Sequence, residues 1–189
     1  MRRIISVMAS VTLFLGILSC SSTKPIPTQT ETVYLKNNIH YQEAKGVCKA
    51  SYANYTDPGL GHEILPVNTP VFIGKWKRGF SIINSLDNTM VYFDFNIERM
   101  NMAVAEYLKI ITSPTRVSLD GLSEKDRKGI EDGKAYPGMT KDGVKMALGY
   151  PATHKTPSLE SNRWIYWTNR WDTVAVEFND QGIVTSVVQ

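Results

Sequence analysis

Residues Lys134–Pro151 read KAYPGMTKDGVKMALGYP. Thr140 is placed to accept the orphan backbone N–H groups of a helix, and Asp142 falls in the first turn, where the helix dipole favours negative charge. Val144, Ala147 and Leu148 share one face. Gly149 can take the left-handed conformation that ends a helix, and Pro151 forbids its resumption. A helix this short is held by the layer its apolar face covers, so the neighbouring sequence must supply that layer.

Upstream, Ser123 followed by Asp126 has the pattern of a capping box. It predicts a helix over 124–132, anchored by Ile130, with Leu122 packing from just before the cap and Gly133 as the stop. Downstream, three strands are expected: Arg163 to Thr168, Asp172 to Phe178 and Ile183 to Val188. Asn179, Asp180, Gln181 and Gly182 turn the chain between the last two. Alternation along the first strand assigns Trp164 and Tyr166 to the core and turns Trp167 away from it. Two helices on one face of a three-stranded antiparallel sheet would make an α+β sandwich of about 70 residues.

The run Gly133, Tyr136, Gly138, Met139, Thr140, Val144, Leu148, Gly149 and Pro151, then Trp164 and Tyr166, then Phe178, Gly182 and Val184, resembles the BamE family, also called SmpA or OmlA, of outer-membrane lipoproteins. The family pattern is G-x-x-y-x-G-M-T-x-x-x-V-x-x-x-L-G-x-P, followed by W-x-Y and F-x-x-x-G-x-V. The resemblance covers residues 119–189 and implies the two-helix, three-stranded sandwich. The best-known member of the family, small and with little beyond a lipid anchor and this one domain, serves as an accessory to the machine that inserts β-barrel proteins into the outer membrane. The long region that precedes the domain here implies a relative using the same scaffold rather than that accessory itself.

Residues 32–118 carry short apolar runs between turn residues. Strands are expected at Thr32–Leu35, Glu63–Leu65, Pro70–Trp76, Phe80–Asn84 and Thr89–Phe95, and a helix over 101–111. The stretch HEILPVNTPVFIG resembles the opening of bacterial SH3-like modules, with Asn68 standing where their pattern has glycine. Asparagine tolerates a positive φ better than most residues. The resemblance implies a small antiparallel barrel, and the fold class expected for the whole is α+β: an SH3-like barrel over 32–118 followed by a BamE-like sandwich over 119–189.

The chain begins MRRIISVMASVTLFLGILSC. Arg2 and Arg3 followed by an apolar run read as an export signal over residues 1–19. Ile17, Leu18, Ser19 and Cys20 resemble the lipobox of bacterial lipoproteins, in which the cysteine becomes the acylated N-terminus. Each buried methylene contributes roughly 0.8 kcal/mol to membrane attachment, so two chains hold firmly. Residues 20–31, with two prolines and several Ser and Thr, then read as a flexible tether. In the lipoproteins of enteric Gram-negative bacteria that this start resembles, aspartate after the lipidated cysteine retains the protein at the inner membrane, so for a Gram-negative source Ser21 implies the periplasmic face of the outer membrane.

With 21 basic and 18 acidic residues, two of the basic ones in the signal, nothing suggests a nucleic-acid partner. His40, His62 and His154 are scattered, and neither a metal nor a cofactor pattern is present. Cys48, the one thiol left once Cys20 is modified, reads as a small buried side chain. Asp120, Glu124, Asp126, Glu131 and Asp132 read as a solvated helix surface.

No catalytic set emerges, and the expected role is a non-catalytic envelope module that binds a protein partner. A second reading is a peptidoglycan-binding module using the SH3-like part, with Trp76, Tyr92 and neighbouring polar groups lining its groove. Candidate interface residues are Trp167, Arg170 and Trp171 near one strand end, since tryptophan and arginine supply large desolvated contacts. Lys75, Trp76, Lys77 and Arg78 add a basic turn with an aromatic stem.

Overall fold

Alternation of apolar and polar residues from Val71 to Phe93 buries one face of a large sheet, and the rest of the fold is arranged around that face. The structure, a computed structural model, describes residues 31–189; the signal, Cys20 and nearly all of the tether lie outside the described residues. The large sheet contains β1 (Val33–Leu35), β2 (Ile39–Ala44), β3 (Val47–Ser51), β4 (His62–Leu65), β5 (Pro70–Trp76), β6 (Gly79–Asn84), β7 (Met90–Asp94) and β8 (Thr112–Ser113). Its order is β4-β2-β3-β7-β6-β5-β1-β8, antiparallel except where β3 runs parallel to β7.

The inner face contributes Val71, Ile73, Phe80, Ile82, Val91 and Phe93, all buried, together with Leu35, Ile39 and Leu65. Two helices close it: α1 (Ile97–Met100) brings Met100, and α2 (Val104–Ile111) brings Tyr107 and Ile111. Tyr107 sits in an aromatic group, 5.6 Å from Phe93 and 5.0 Å from Phe95 between ring centroids. Each such side chain contributes roughly 1.5–3 kcal/mol by leaving water. At the start of α2, the Glu106 carboxylate accepts the Ala103 N–H at 2.8 Å, which satisfies one of the helix's orphan donors.

The remainder is α3 (Glu124–Asp132), α4 (Lys141–Leu148) and a three-stranded sheet, β11-β10-β9, built from β9 (Arg163–Trp167), β10 (Thr173–Phe178) and β11 (Val184–Val188). Trp164 and Tyr166 point inward from β9, each 1% exposed, against Met139, Val144, Ala147 and Leu148.

Asp126 holds the two helices together. Its Oδ2 accepts the Ser123 N–H at 3.1 Å and the Ser123 hydroxyl at 2.8 Å, and its Oδ1 accepts the Thr140 N–H at 2.7 Å. One carboxylate thus serves the starts of both α3 and α4 and is fully buried, not part of the solvated surface its acidic neighbours suggest. Two close-packed glycines make room: a Cβ on Gly143 would strike the Asp126 carboxylate, and one on Gly129 would strike Met139.

The expected SH3-like barrel followed by a BamE-like α+β sandwich is not the fold. The chain is mostly β: a curled eight-stranded mixed sheet plus a three-stranded sheet, with only four short helices among the described residues. Two causes are visible. The β2–β3 hairpin, which the sequence reading passed over, enlarges the first sheet and brings in the parallel β3–β7 pairing that a small antiparallel barrel lacks. The helices α3 and α4, moreover, do not serve the three-stranded sheet alone. The Asn38 amide, at the start of β2, donates to Ile130 O at 2.7 Å and Ala147 O at 3.2 Å, and its Oδ1 accepts the Val67 N–H at 2.9 Å. Buried groups of the large sheet therefore occupy the carbonyl ends of both helices.

Gly149 also departs from the expected helix stop. Its φ is +76° but its ψ is −166°, an extended geometry open essentially to glycine alone. A Cβ there would collide with the Asn54 side chain, which explains the glycine as a close approach between the two parts of the molecule.

Candidate ligand-binding face

Strand register aligns the residues of the outer face of the large sheet, opposite the apolar core, into rows. One row runs His62, Gln42, Lys49, Tyr92 and Ser81; on the same face His40 pairs with Ile64, and a second row runs Ser51, Asp94, Gly79 and Trp76. Most of this face is polar, and a cleft of about 230 Å3 opens in it, lined by Gln42, Lys49, Ser51, Tyr55, Pro58 and Asp94 among others. Beside it Trp76 and Tyr92 pack with ring centroids 4.5 Å apart. Trp76 Nε1 donates to Asp94 Oδ1 at 3.0 Å, and Arg78 pairs with Asp94 Oδ2 at 2.7 Å, so both carboxylate oxygens of Asp94 are engaged.

A shallower depression of about 400 Å3 shares Gln42, Tyr55 and Pro58 with the cleft and ends at Arg170 and Trp171. Its two walls are bonded to each other: the Thr56 N–H donates to Trp167 O and the Asp57 N–H to Thr168 O, both at 2.9 Å. Gln42 fixes the loop between β3 and β4 by donating from Nε2 to Leu60 O at 2.9 Å. Leu60 is 97% exposed on that loop and Trp171 is 77% exposed on the β9–β10 turn, where the Arg170 guanidinium lies 4.9 Å from its ring centroid.

The candidate interface residues thus fall into separate settings. Trp171 and Arg170 stand in solvent, but Trp167 is half-buried beneath Lys155 and beside His154, with its indole N–H buried and unpartnered. In the basic turn Lys75, Lys77 and Arg78 are exposed, Trp76 is half-buried, and Lys77 lies 5.6 Å over the Trp76 ring. Lys75 belongs to the row that continues the inner face, whereas Trp76 belongs to the outer face, so the turn is not one uniform basic patch.

The histidines hold what sequence reading missed. His40 and His62, on adjacent strands, stack with centroids 5.2 Å apart. His40 Nε2 lies 2.9 Å from Ala147 O and must carry the proton there, which leaves its Nδ1 to accept from His62 Nε2 at 3.0 Å. Burial pushes His40 down to about 4, so the ring is neutral at physiological pH; burial also lowers His62. Among the described residues no three His, Cys, Asp or Glu side chains gather to hold a metal ion. Cys48 is half-buried, and burial followed by the charges of Glu43 and Glu63 raises its thiol pKa, which makes it a poor nucleophile.

Compared with protein-family models, curated proteins and solved structures, the chain has no match. Its chemistry is therefore read from the face itself: fixed loops, exposed aromatic and aliphatic groups, and a polar cleft beside two stacked rings.

Proposed function

We propose that this chain is a non-catalytic cell-envelope lipoprotein, held by acylated Cys20 at the periplasmic face of the outer membrane, that recognises a protein partner. The observation carrying the partner class is the exposure of Trp171 and of Leu60, two large apolar side chains left in water on loops that backbone hydrogen bonds lock together. Association with a protein would desolvate both, and a rigid tryptophan backed by arginine loses little conformational entropy in doing so. Asp57, Arg170 and Asp172 surround the depression with charges of both signs, suited to a polypeptide rim rather than to a phosphate surface. The lipobox-like start and the tether-like composition of residues 20–31 support the address.

The test is photo-crosslinking in intact cells from a photoreactive residue at Leu60, with Leu86, exposed on the β6–β7 turn, as the control position. A discrete protein adduct from position 60, reduced roughly tenfold by Trp171→Ala, is the expected result. Equal labelling from positions 60 and 86, or an adduct indifferent to Trp171→Ala, would overturn the proposal.

A further inference from the structure

We propose that the cleft around Lys49 is a saccharide site, taking a single sugar ring that bears a carboxylate. The argument begins with the hydrogen-bonding capacity its lining leaves unspent. Ser51 Oγ accepts the Ala53 N–H at 3.1 Å, which leaves the hydroxyl proton free to donate. Gln42 spends its Nε2 on the Pro58 and Leu60 carbonyls, which leaves Oε1 free to accept. Tyr55 is half-buried and lines the cleft, and burial raises its pKa, keeping it protonated and a donor. The lining therefore offers both free donors and a free acceptor, which vicinal hydroxyl groups can satisfy together.

Charge selects further. Asp94 is already paired with Arg78 and accepts the Trp76 N–H, whereas Lys49 makes no salt bridge among the described residues. The uncompensated charge facing the cleft is positive, and one ammonium group matches one carboxylate. The aromatic pair supplies the remaining component. Tyr92 lies next to Lys49 in the strand register, and Trp76, 4.5 Å from Tyr92, is bonded to the Asp94 that lines the cleft. Partly exposed rings beside a polar recess suit the C–H face of a pyranose. A volume of about 230 Å3 is below the roughly 300 Å3 at which pockets begin to hold drug-sized ligands, and so fits one ring rather than an extended molecule.

This site adjoins the protein-docking surface, with Gln42, Tyr55 and Pro58 common to both, but neither Leu60 nor Trp171 lines the cleft, so the two proposals are tested apart. It is tested on the detergent-solubilised chain labelled with 5-fluorotryptophan, following the Trp76 resonance, assigned with Trp76→Phe, by fluorine NMR. The probes are N-acetylmuramic acid, N-acetylglucosamine, which lacks the carboxylate, and N-acetylglycine, which lacks the ring. Saturable movement of the Trp76 signal with N-acetylmuramic acid is expected, weakened roughly tenfold by Lys49→Gln and unchanged by Trp171→Ala. N-acetylglucosamine should bind the unaltered chain about as weakly as N-acetylmuramic acid binds Lys49→Gln, and N-acetylglycine should leave Trp76 unmoved. Absence of any saturable shift with N-acetylmuramic acid, an equal response to N-acetylglycine, or indifference to Lys49→Gln in a variant of unchanged melting temperature would each overturn the assignment.

Discussion

His40 is buried between a sheet and the carbonyl end of α4, and a neutral imidazole is the form that fits there. Its value of about 4 in the folded chain lies below the ordinary 6.5, so between those two pH values the unfolded chain binds the proton more readily. The stability that His40 contributes is therefore fully present above about pH 6.5 and is lost as the pH falls through 4, about 3 kcal/mol from this residue. Urea midpoints measured across that window should show the loss, and His40→Gln should reduce it, leaving what burial of His62 adds. Asp126 is the other residue on which much depends. Asp126→Ala removes acceptors from two helix starts and leaves buried donors unpaired, so a loss of about 2–4 kcal/mol in chemical denaturation is expected. Some of this was legible: Asn68 does adopt φ +65°, and its side chain exchanges hydrogen bonds with Val117 in both directions. The histidine pair was not, because no local pattern joins residues 22 positions apart on strands whose register is set by the whole sheet.

The elements whose ends carry chemical punctuation were the readable ones. Ser123, Gly133 and Thr140 bound α3 and α4 at the positions their side chains and backbone freedom suggest, because caps act within one helical turn. The β2–β3 hairpin escaped notice for an equally local reason. Its two-residue turn, Lys45 and Gly46, has φ of +53° and +73°, a geometry for which Asn-Gly is the usual signal. A lysine in the first position conceals the turn and strains it. Lys45→Asn should raise stability by about 0.5–1 kcal/mol, visible as a higher melting temperature with the structure unchanged. Gly143→Ala should act in the opposite sense. Alanine favours helix by about 1 kcal/mol over glycine, yet here its methyl group would displace the Asp126 carboxylate, so a lower denaturation midpoint is expected.

Architecture was the least legible level. Helix and strand positions in the last third of the chain were consistent with an independent sandwich, but nothing local reveals that Asn38 and His40 reach across to Ile130 and Ala147. Those contacts make the helices common property of both sheets, and separate backbone hydrogen bonds hold the β3–β4 loop against the β9–β10 turn, on which Leu60 and Trp171 are exposed. Tryptophan fluorescence and far-ultraviolet circular dichroism should therefore report one coincident unfolding transition, which Asn38→Ala should split into two. A recognition surface assembled this way has its proposed role only if the chain is held in the envelope. The most direct measurement is the intact mass of the processed polypeptide purified from membranes. A chain starting at Cys20 and carrying acyl mass on that residue is the expected result; an unmodified chain, or one starting at any other residue, would contradict it.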